Sequence, residues 1–295
     1  MEESPAGAAA HSPCRLFVYL ARTSPIAVIL RRGPSDWVRL SVWRTDTDTF
    51  DHGQWMRGRV YERRSDVSAD GSLFLAFVRQ SGGAQKGEGG PRADTWLAVS
   101  RPPYFSALAV WLVGGTYHTG GFFPDSTSLW TGFSNAAPDI GRTPRWLKMT
   151  ASRDIPYVDR TPEWSNRTVH FNRLLRDGWR QLENDPYRTV WERQHPSLAL
   201  TLSMSHRFVS FQRYGGSYAA EYAVRDRRRA RDVIVGPATW ADWDQHGRLT
   251  VARDGCLVEW TEDVGERLIA DFNGQTPDPG PAPAWALEWP PAPAT

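Results

Sequence analysis

The sequence predicts an all-β fold, and three observations carry that prediction. Aromatic residues make up 12% of the 295 residues, with 15 Trp and only 4 Met, a composition that favours sheets over helices. Short apolar runs recur along the chain and are separated by Gly, Pro and Asp clusters of the kind that form turns. The third observation is the stretch 61–79, YERRSDVSADGSLFLAFVR, which holds a strand, a turn and a second strand in one short window.

The turn of that stretch is SADG, at residues 68–71. Gly71 can adopt the positive φ that a tight reversal requires of one residue. The residues that follow it, 73–77, are all apolar, as is typical of a strand covered on both faces. The stretch is therefore predicted to be a hairpin that leads into a covered sheet.

The N-terminal part of the chain predicts a meander of short strands. Its strands are expected at residues 15–22, 26–31 and 37–43, and the polar segment TDTDTFDHG at 45–53 is expected to connect them to the next unit. Residues 81–93, rich in Gly, are expected to form a mobile surface loop. Strands are expected again at residues 95–100 and 106–113.

The middle of the chain is harder to interpret. Residues 134–166 contain scattered Pro and few periodic apolar residues, and are expected to be a long insertion loop. Residues 167–183 fit either a helix with an apolar stripe or two strands joined at Asp177-Gly178. Because Asp-Gly costs a helix interior roughly 1 to 2 kcal/mol and suits a two-residue hairpin loop, two strands are favoured.

The β pattern is strong again after residue 197. Strands are expected in the segments SLALTLSM, RFVSFQRY, SYAAEYAV, DVIVG and ERLIADF. The predicted organisation is a disordered leader at 1–13, a single domain at 14–274, and a tail rich in Pro and Ala at 275–295 that wraps the outside or stays loose.

One turn pattern occurs three times, each time followed by an apolar strand. The copies place Leu73, Leu129 and Leu249 at comparable points, 56 and 120 residues apart. A unit of roughly 40 to 60 residues with several short strands is typical of a β-propeller blade, which predicts a propeller-like ring of about five or six irregular blades. Closure of such a ring predicts that strand 15–21 pairs with strands from 247–272. The alternative is a β-sandwich with a second sheet domain.

Two of these copies also carry a family resemblance. The segments SDVSADGSLFLAF and WADWDQHGRLTVARDGCLVEW resemble blades of the TolB-like and WD-repeat propellers. The chain is similar, too, to bacterial proteins that carry this blade pattern irregularly. The resemblance implies a ring of blades, and it implies nothing about activity.

Charge and composition exclude several partners and compartments. The net charge of +2 comes from 35 basic and 33 acidic residues, too balanced for a nucleic-acid-binding protein. The longest apolar run, 107–113, is far shorter than the roughly 20 residues that span a bilayer, so no membrane partner is expected. Two cysteines, Cys14 and Cys256, form no disulfide framework. Because the N-terminus lacks a signal pattern, a cytoplasmic location is expected.

No cofactor or metal is predicted from the sequence. Asp46, Asp48 and Asp51, with His52 beside them, alternate like the ligands of a calcium loop, but the sharp-turn Gly and the closing Glu are missing. A solvated connection that caps its own turn is favoured. The Gly-rich loop around Lys86 lacks the strand–loop–helix context of a phosphate site. The His residues show no spacing of three or four that would indicate a helical zinc site.

Three further groups of residues have a functional and a structural interpretation. Asp242, Asp244 and Glu259 could flank a glycosidic bond, although Asp242 and Asp244 are favoured as acceptors of turn amides. The Arg-rich segment 225–231 is favoured as a solvated hairpin tip. Trp residues near loops, Trp55 and Trp130, could form a binding platform.

The sequence favours a non-catalytic propeller that binds a protein or a small-molecule ligand over the central opening. The alternative is a hydrolase or lyase whose polar site lies at the channel mouth. In either case the residues expected at the site are Arg63, Arg64, Asp66, His118 and Asp244. One deep pocket with a carboxyl group of raised pKa would favour the enzyme, and an open apolar rim would favour the binding module.

Overall fold

The chain folds into five small β-sheets arranged in a ring, a five-bladed β-propeller. The computed structural model describes residues 13–85, 92–116, 118–132, 136–152, 167–185, 187–207 and 220–293. Each sheet is a blade, and successive blades use successive parts of the chain. Among these described residues there is one α-helix, and no helix is long and apolar enough to cross a membrane.

Blades 1 and 2 are antiparallel meanders. Blade 1 contains β1 (Arg15–Leu20), β2 (Ile26–Arg32), β3 (Trp37–Arg44) and β4 (Thr49–Arg57), paired in that order. Blade 2 contains β5 (Arg59–Val60), β6 (Asp66–Val67), β7 (Phe74–Gln85), β8 (Arg92–Ser100) and β9 (Ala107–Leu112). A 3₁₀ turn at Glu62–Arg64 lies between β5 and β6, which both pair with β7.

Blade 3 is the least regular. It contains β10 (Gly121–Phe122), β11 (Ser128–Thr131) and β13 (Lys148–Ala151), and β13 runs parallel to β11. Between them, β12 (Ile140–Gly141) returns to the edge of blade 2 and pairs with β9. The helix α1 (Arg167–Arg176) then leads into blade 4.

Blades 4 and 5 are again antiparallel meanders. Blade 4 contains β14 (Trp179–Asn184), β15 (Arg188–Gln194), β16 (Leu200–Arg207), β17 (Ala220–Asp226) and β18 (Arg231–Ala238). Blade 5 contains β19 (Trp240–Trp243), β20 (Leu249–Arg253), β21 (Cys256–Thr261) and β22 (Gly265–Asp271).

The core of the described structure is divided among the blade interfaces, and this division closes the ring. One buried cluster joins blade 1 to blade 2 through Tyr19 and Phe74, and a second joins blades 2 and 3. A third joins blade 3 to α1, and a fourth joins α1 and blade 4 to blade 5. The last cluster joins blade 1 to blade 5 and contains Trp43 of blade 1 and Phe272, which directly follows the last strand of blade 5. Since each large side chain buried in this way contributes about 1.5 to 3 kcal/mol, these interfaces hold the blades together.

The three recurring turns lie at corresponding corners of their blades, as predicted. The turn at 68–71 joins β6 to β7, the turn at 123–126 joins β10 to β11, and the turn at 244–248 joins β19 to β20. Gly71 has a φ of 82°, and a Cβ there would lie 2.9 Å from Cγ2 of Ile26 in blade 1. The predicted all-β propeller and its blade number are therefore confirmed, and the sandwich alternative is wrong.

The prediction of two strands at residues 167–183 is wrong in its first half, because residues 167–176 form α1. Gly178 adopts a φ of 88°, and its N–H donates to the carbonyl of Leu175. An Asp-Gly pair ends a helix in this left-handed conformation as readily as it turns a hairpin. The second half, starting at Trp179, is the predicted strand.

The predicted closure of the ring is also wrong, because β1 pairs with β2 and no strand pairing between blades 1 and 5 occurs in the described residues. Side chains make the connection instead. The side-chain amide of Gln245 donates to the carbonyls of Ala21, Ser24 and Ile26 over 2.9 to 3.1 Å. Arg248 forms a two-pronged pair with Asp48, at 2.8 and 3.0 Å.

Smaller differences concern the expected loops. The first residues of the segment 81–93 belong to β7 and its last residues belong to β8. Its centre, 86–91, lies outside the described residues. The expected insertion loop contributes β12 and β13, whereas 153–166 lies outside the described residues. Most of the leader and most of the expected strand RFVSFQRY also lie outside them. The tail packs on the outside of the ring, where Arg101 donates to the carbonyl of Trp285 over 2.7 Å.

A buried carboxylate, Asp66, ties α1 to blades 2 and 3. Its side chain is 1% exposed and pairs with Arg173, at 3.0 Å, and with Arg176. It also accepts the backbone N–H of Phe123 at the start of the blade 3 turn, at 2.8 Å. Burial alone would raise the pKa of Asp66, but the charges of Arg176 and Arg173 outweigh it and lower that pKa.

We expect Asp66→Asn to lower the free energy of unfolding by about 3 kcal/mol or more, because it leaves the buried Arg173 without its anion and leaves Arg176 with Asp177 alone. Urea unfolding at pH 7 measures the change. Because the pKa of Asp66 is lowered in the fold, its contribution is present above about pH 4 and is lost as the pH falls below that value. The difference between wild type and variant should shrink accordingly.

The matched control is Asp94→Asn, which removes an exposed carboxylate that lies 3.5 Å from Arg79. Exposed pairs of this kind contribute at most about 1 kcal/mol. Equal losses of stability in the two variants would contradict the role assigned to Asp66.

Candidate functional site

A cavity of about 570 Å³, here called the inner cavity, is the candidate site because side chains from several blades border it. It is bordered by β1 of blade 1, the 3₁₀ turn of blade 2, α1, the strands β14 to β17 of blade 4, and β19 of blade 5. A site bordered by four of five blades lies at the centre of the ring. The residues that border the cavity include Arg22, Arg63, His170, Arg173, Leu174, Arg176, Asp177, Trp179, Arg193, His206, Tyr222, Trp240, Asp242, Trp243 and Asp244.

The helix α1 provides one wall of the inner cavity. Phe171 packs against Trp191 of blade 4, with their ring centroids 4.8 Å apart, and this contact orients the helix. His170, Arg173 and Leu174 then border the cavity. Arg173 and Arg176 in the last turn also favour the helix, since cations near the C-terminus complement its dipole.

Asp242 and Arg193 form an ion pair in the wall opposite. The Asp242 carboxylate also accepts hydrogen bonds from the indole of Trp179, at 3.2 Å, and from the backbone N–H of Trp243, at 2.8 Å. Burial raises the pKa of Asp242, although Arg193 and both hydrogen bonds oppose that rise. Arg193 keeps a quarter of its side chain exposed, and its Nε and Nη2 atoms have no hydrogen-bond partner among the described residues.

Two histidines and an arginine lie together at another part of the wall. Nη2 of Arg63 lies 2.9 Å from Nε2 of His206, which joins blade 2 to blade 4. Burial and the neighbouring Arg63, Arg173 and His206 lower the pKa of His170 well below its usual value of 6.5. His170 is therefore neutral near pH 7, as is expected for a buried imidazole beside cations.

The cavity wall carries an excess of positive charge. Five arginines line it, Arg22, Arg63, Arg173, Arg176 and Arg193, against the three aspartates Asp177, Asp242 and Asp244. Behind the wall, Asp66 pairs with Arg173 and Arg176, and Arg248 pairs with both Asp244 and Asp48. Aromatic side chains, among them Trp179 and Trp240, supply flat apolar surface between the charges.

Of the site residues predicted from the sequence, Arg63 and Asp244 border the inner cavity. Asp244 is 3% exposed and accepts the N–H groups of His246 and Arg248, each at 2.9 Å, which is the turn role favoured for it. Arg64 donates to the carbonyl of His118 over 2.8 Å, and the His118 side chain is exposed. Asp66 lies behind α1 in the ion pairs described above. The five residues do not form one site.

The other candidates from the sequence have structural partners. Glu259 pairs with Arg267 on the outer strands of blade 5, away from Asp242 and Asp244, so the three carboxylates do not face one bond. Trp55 and Trp130 are 4% and 2% exposed and cannot act as a surface platform.

The acidic connection of blade 1 is divided among separate partners. Asp48 pairs with Arg248, and Asp51 pairs with Arg44 at 3.3 Å. Asp46 is exposed and accepts the hydroxyl of Thr47. Throughout the described part of the chain, no three His, Cys, Asp or Glu side chains are grouped so that they could hold a metal ion.

Sequence reasoning missed Arg193, Trp179, His170 and His206. They come from separate elements, and their neighbourhood follows only from how α1 and blade 4 pack. The sequence does contain one signal, because Asp242 lies two residues before Asp244 in the recurring turn pattern.

We expect His170→Gln to make stability less sensitive to acid. Since the pKa of His170 is lowered in the fold, only the unfolded chain takes up this proton below pH 6.5, and the wild type loses about 1.4 kcal/mol from this group by pH 5.5. Unfolding free energies measured at pH 7.5 and 5.5 should therefore differ less in the variant. An equal loss in both proteins would show that His170 is not held neutral.

No family model and no curated protein matches this chain. Solved structures similar to it include the GH43 protein BlXynB from Bacillus licheniformis, as a point mutant with 11% identity and a TM-score of 0.35 and unmutated with 11% and 0.28. These matches cover 92% and 91% of this chain but 58% and 56% of those chains, so this chain spans less than two thirds of their length. The uncharacterized protein lmo1340 from Listeria monocytogenes EGD-e is 9% identical, with a TM-score of 0.29, and 94% of this chain and 88% of that chain are covered. Likenesses at this level carry no argument about activity.

Proposed function

We propose that this protein is a non-catalytic propeller that binds a small molecule in the inner cavity. The observation that carries the proposal is the cavity itself. Its volume of about 570 Å³ lies within the range of roughly 300 to 1,000 Å³ that is typical of small-molecule sites. Its wall combines aromatic surface with a few charged groups, the composition that fixes the position of a small ligand.

A small ligand is favoured over a protein partner because the charged groups that border the cavity come from different blades. Arg193 borders the cavity from blade 4 and Arg63 borders it from blade 2. A protein surface would have to reach between the blades to contact both. A small molecule would meet them together.

A second candidate is a hydrolase or lyase that uses the same cavity, and the raised pKa of Asp242 favours it. Hydrolysis of a glycoside requires a second carboxylate. The two others in the wall are engaged, Asp244 with Arg248 and Asp177 with Arg176. Release of p-nitrophenol from p-nitrophenyl glycosides by the wild type, and its loss in Asp242→Asn, would favour this candidate.

The proposal extends to the kind of propeller and its setting. The turn pattern at residues 68–71 and 244–248 supports a relationship to TolB-like and WD-repeat propellers of bacteria. The charge balance and the cysteine content support a cytoplasmic protein that binds neither nucleic acid nor membranes.

We expect Leu174→Trp to block ligand entry, because Leu174 borders the cavity from α1 and a Trp side chain would occupy part of its volume. The probe is N-phenyl-1-naphthylamine, a neutral dye that fluoresces in apolar surroundings. The wild type should bind it saturably, and the variant should bind it at least about 10-fold more weakly, as expected when a well-formed pocket is filled.

Leu198→Trp is the matched control, because Leu198 is 55% exposed and does not border the cavity. It should bind the dye like the wild type. Undiminished binding by Leu174→Trp, with both variants folded, would show that the dye does not enter the inner cavity.

A further inference from the structure

We infer that the ligand of the inner cavity is a small organic anion, with a carboxylate or phosphate group on a flat apolar body. This inference rests on the proposed function and adds the chemical class of the ligand. It is drawn from the charge of the wall, from arginine nitrogens that lack partners, and from the arrangement of the aromatic side chains.

The charge of the wall favours an anion. Five arginines and three aspartates border the cavity. Charges in a site with low-dielectric walls interact more strongly than charges at an open surface. The greater number of arginines than aspartates in the wall therefore favours a negatively charged occupant.

Two arginines have donors available for an anion. Arg193 uses Nη1 for Asp242, and its Nε and Nη2 have no hydrogen-bond partner in the described part of the chain. Nη1 of Arg22 is buried and likewise has no hydrogen-bond partner there, and its nearest anion, Asp177, lies 3.8 Å away. A planar guanidinium with two free nitrogens matches the two oxygens of a carboxylate or phosphate.

The position of Arg193 is fixed through Asp242. Asp242 holds its Nη1, and Asp242 is held in turn by Trp179 and by the backbone of Trp243. An arginine fixed by other groups loses less conformational freedom when it binds an anion than a mobile surface arginine does. Arg193 is thus prepared for binding in the ligand-free fold.

The aromatic residues of the wall indicate the rest of the ligand. Trp179, Tyr222, Trp240 and Trp243 border the same cavity from blades 4 and 5. The indole of Trp179 already donates to Asp242, so its ring edge is oriented within the wall. Flat aromatic walls favour a flat apolar group beside the anionic one.

The test compares two dyes that differ by one charged group: N-phenyl-1-naphthylamine, which is neutral, and 8-anilinonaphthalene-1-sulfonate, its sulfonated counterpart. Fluorescence titration gives the ratio of their dissociation constants. For the wild type we expect the anionic dye to bind at least about 10-fold more tightly, as a charge-assisted pair with arginine provides. Displacement by benzoate and by inorganic phosphate, with benzamide as the neutral comparison, then distinguishes the two anionic groups.

Two variants separate the contribution of Arg193 to anion binding from that of the net charge of the wall. Asp242→Asn removes the negative charge beside Arg193 and keeps an amide oxygen that can still accept from its Nη1, so the preference for the anionic dye should rise by about 3-fold or more. The double variant Arg193→Gln with Asp242→Asn keeps the net charge of the wall and removes the anchor, so the preference should fall below about 3-fold. Because the double variant replaces an ion pair by two neutral amides, it leaves no buried charge unpaired.

The outcomes separate this inference from the proposed function. One outcome is that Leu174→Trp weakens binding of the neutral dye while the anionic dye binds the wild type no more tightly than the neutral one. In that case the cavity is a ligand site, but the inference that its ligand is an anion is wrong. A preference that persists in the double variant would likewise overturn the role of Arg193. If neither dye binds, the proposed function itself fails, and the inference fails with it.

Discussion

The ion pairs of Asp66 with Arg173 and Arg176 are the interaction on which the arrangement of the ring depends. No strand of blade 3 pairs with a strand of blade 4 within the residues that the structure describes, and α1 packs against both blades. Asp66 fixes this helix from blade 2 while it also holds the backbone of Phe123 in blade 3. A buried carboxylate is stable only where its charge is paired and its oxygens accept hydrogen bonds. The position of α1, and the cavity wall it forms, is therefore narrowly defined.

The second constraint is the closure between blades 1 and 5. In the described residues no strand of blade 1 pairs with a strand of blade 5. Side chains of the turn after β19 connect the two blades instead. Gln245 satisfies three carbonyls of blade 1, and Arg248 bridges Asp244 to Asp48. Because β1 and β19 both border the inner cavity, the same contacts that close the ring also set the shape of the site.

The sequence predicted what depends on local chemistry. The turns of blades 2, 3 and 5 follow from Gly, Pro and Asp, whose preferences act over a few residues. The helix could not be predicted in the same way, since Asp177-Gly178 suits both a hairpin and a helix end. The burial of Phe171 and the ion pairs of Arg173 and Arg176 decide between them.

The inner cavity was beyond sequence reasoning for a related reason. Its ion pair joins Arg193 to Asp242, 49 positions apart on different blades. Its histidine contact joins Arg63 to His206, 143 positions apart. Nothing in the spacing of these residues indicates that they meet, because the curvature of the ring brings them together. The role of Asp244 was predictable because its partners, the amides of His246 and Arg248, are neighbours in the sequence.

The arginine-rich segment of the sequence and the arginines of the inner cavity differ in how strongly water screens their charge. The segment 225–231 holds five arginines at the tip of the hairpin between β17 and β18, and acidic neighbours pair with most of them. The exposed pairs are Arg225 with Asp232, Arg227 with Glu192, Arg229 with Asp226, and Arg231 with Glu262. Water and salt screen such pairs. Arg193 and Arg22 are separated in the sequence, but both border the inner cavity, where their side chains are less exposed than those at the hairpin tip and water screens their charge less.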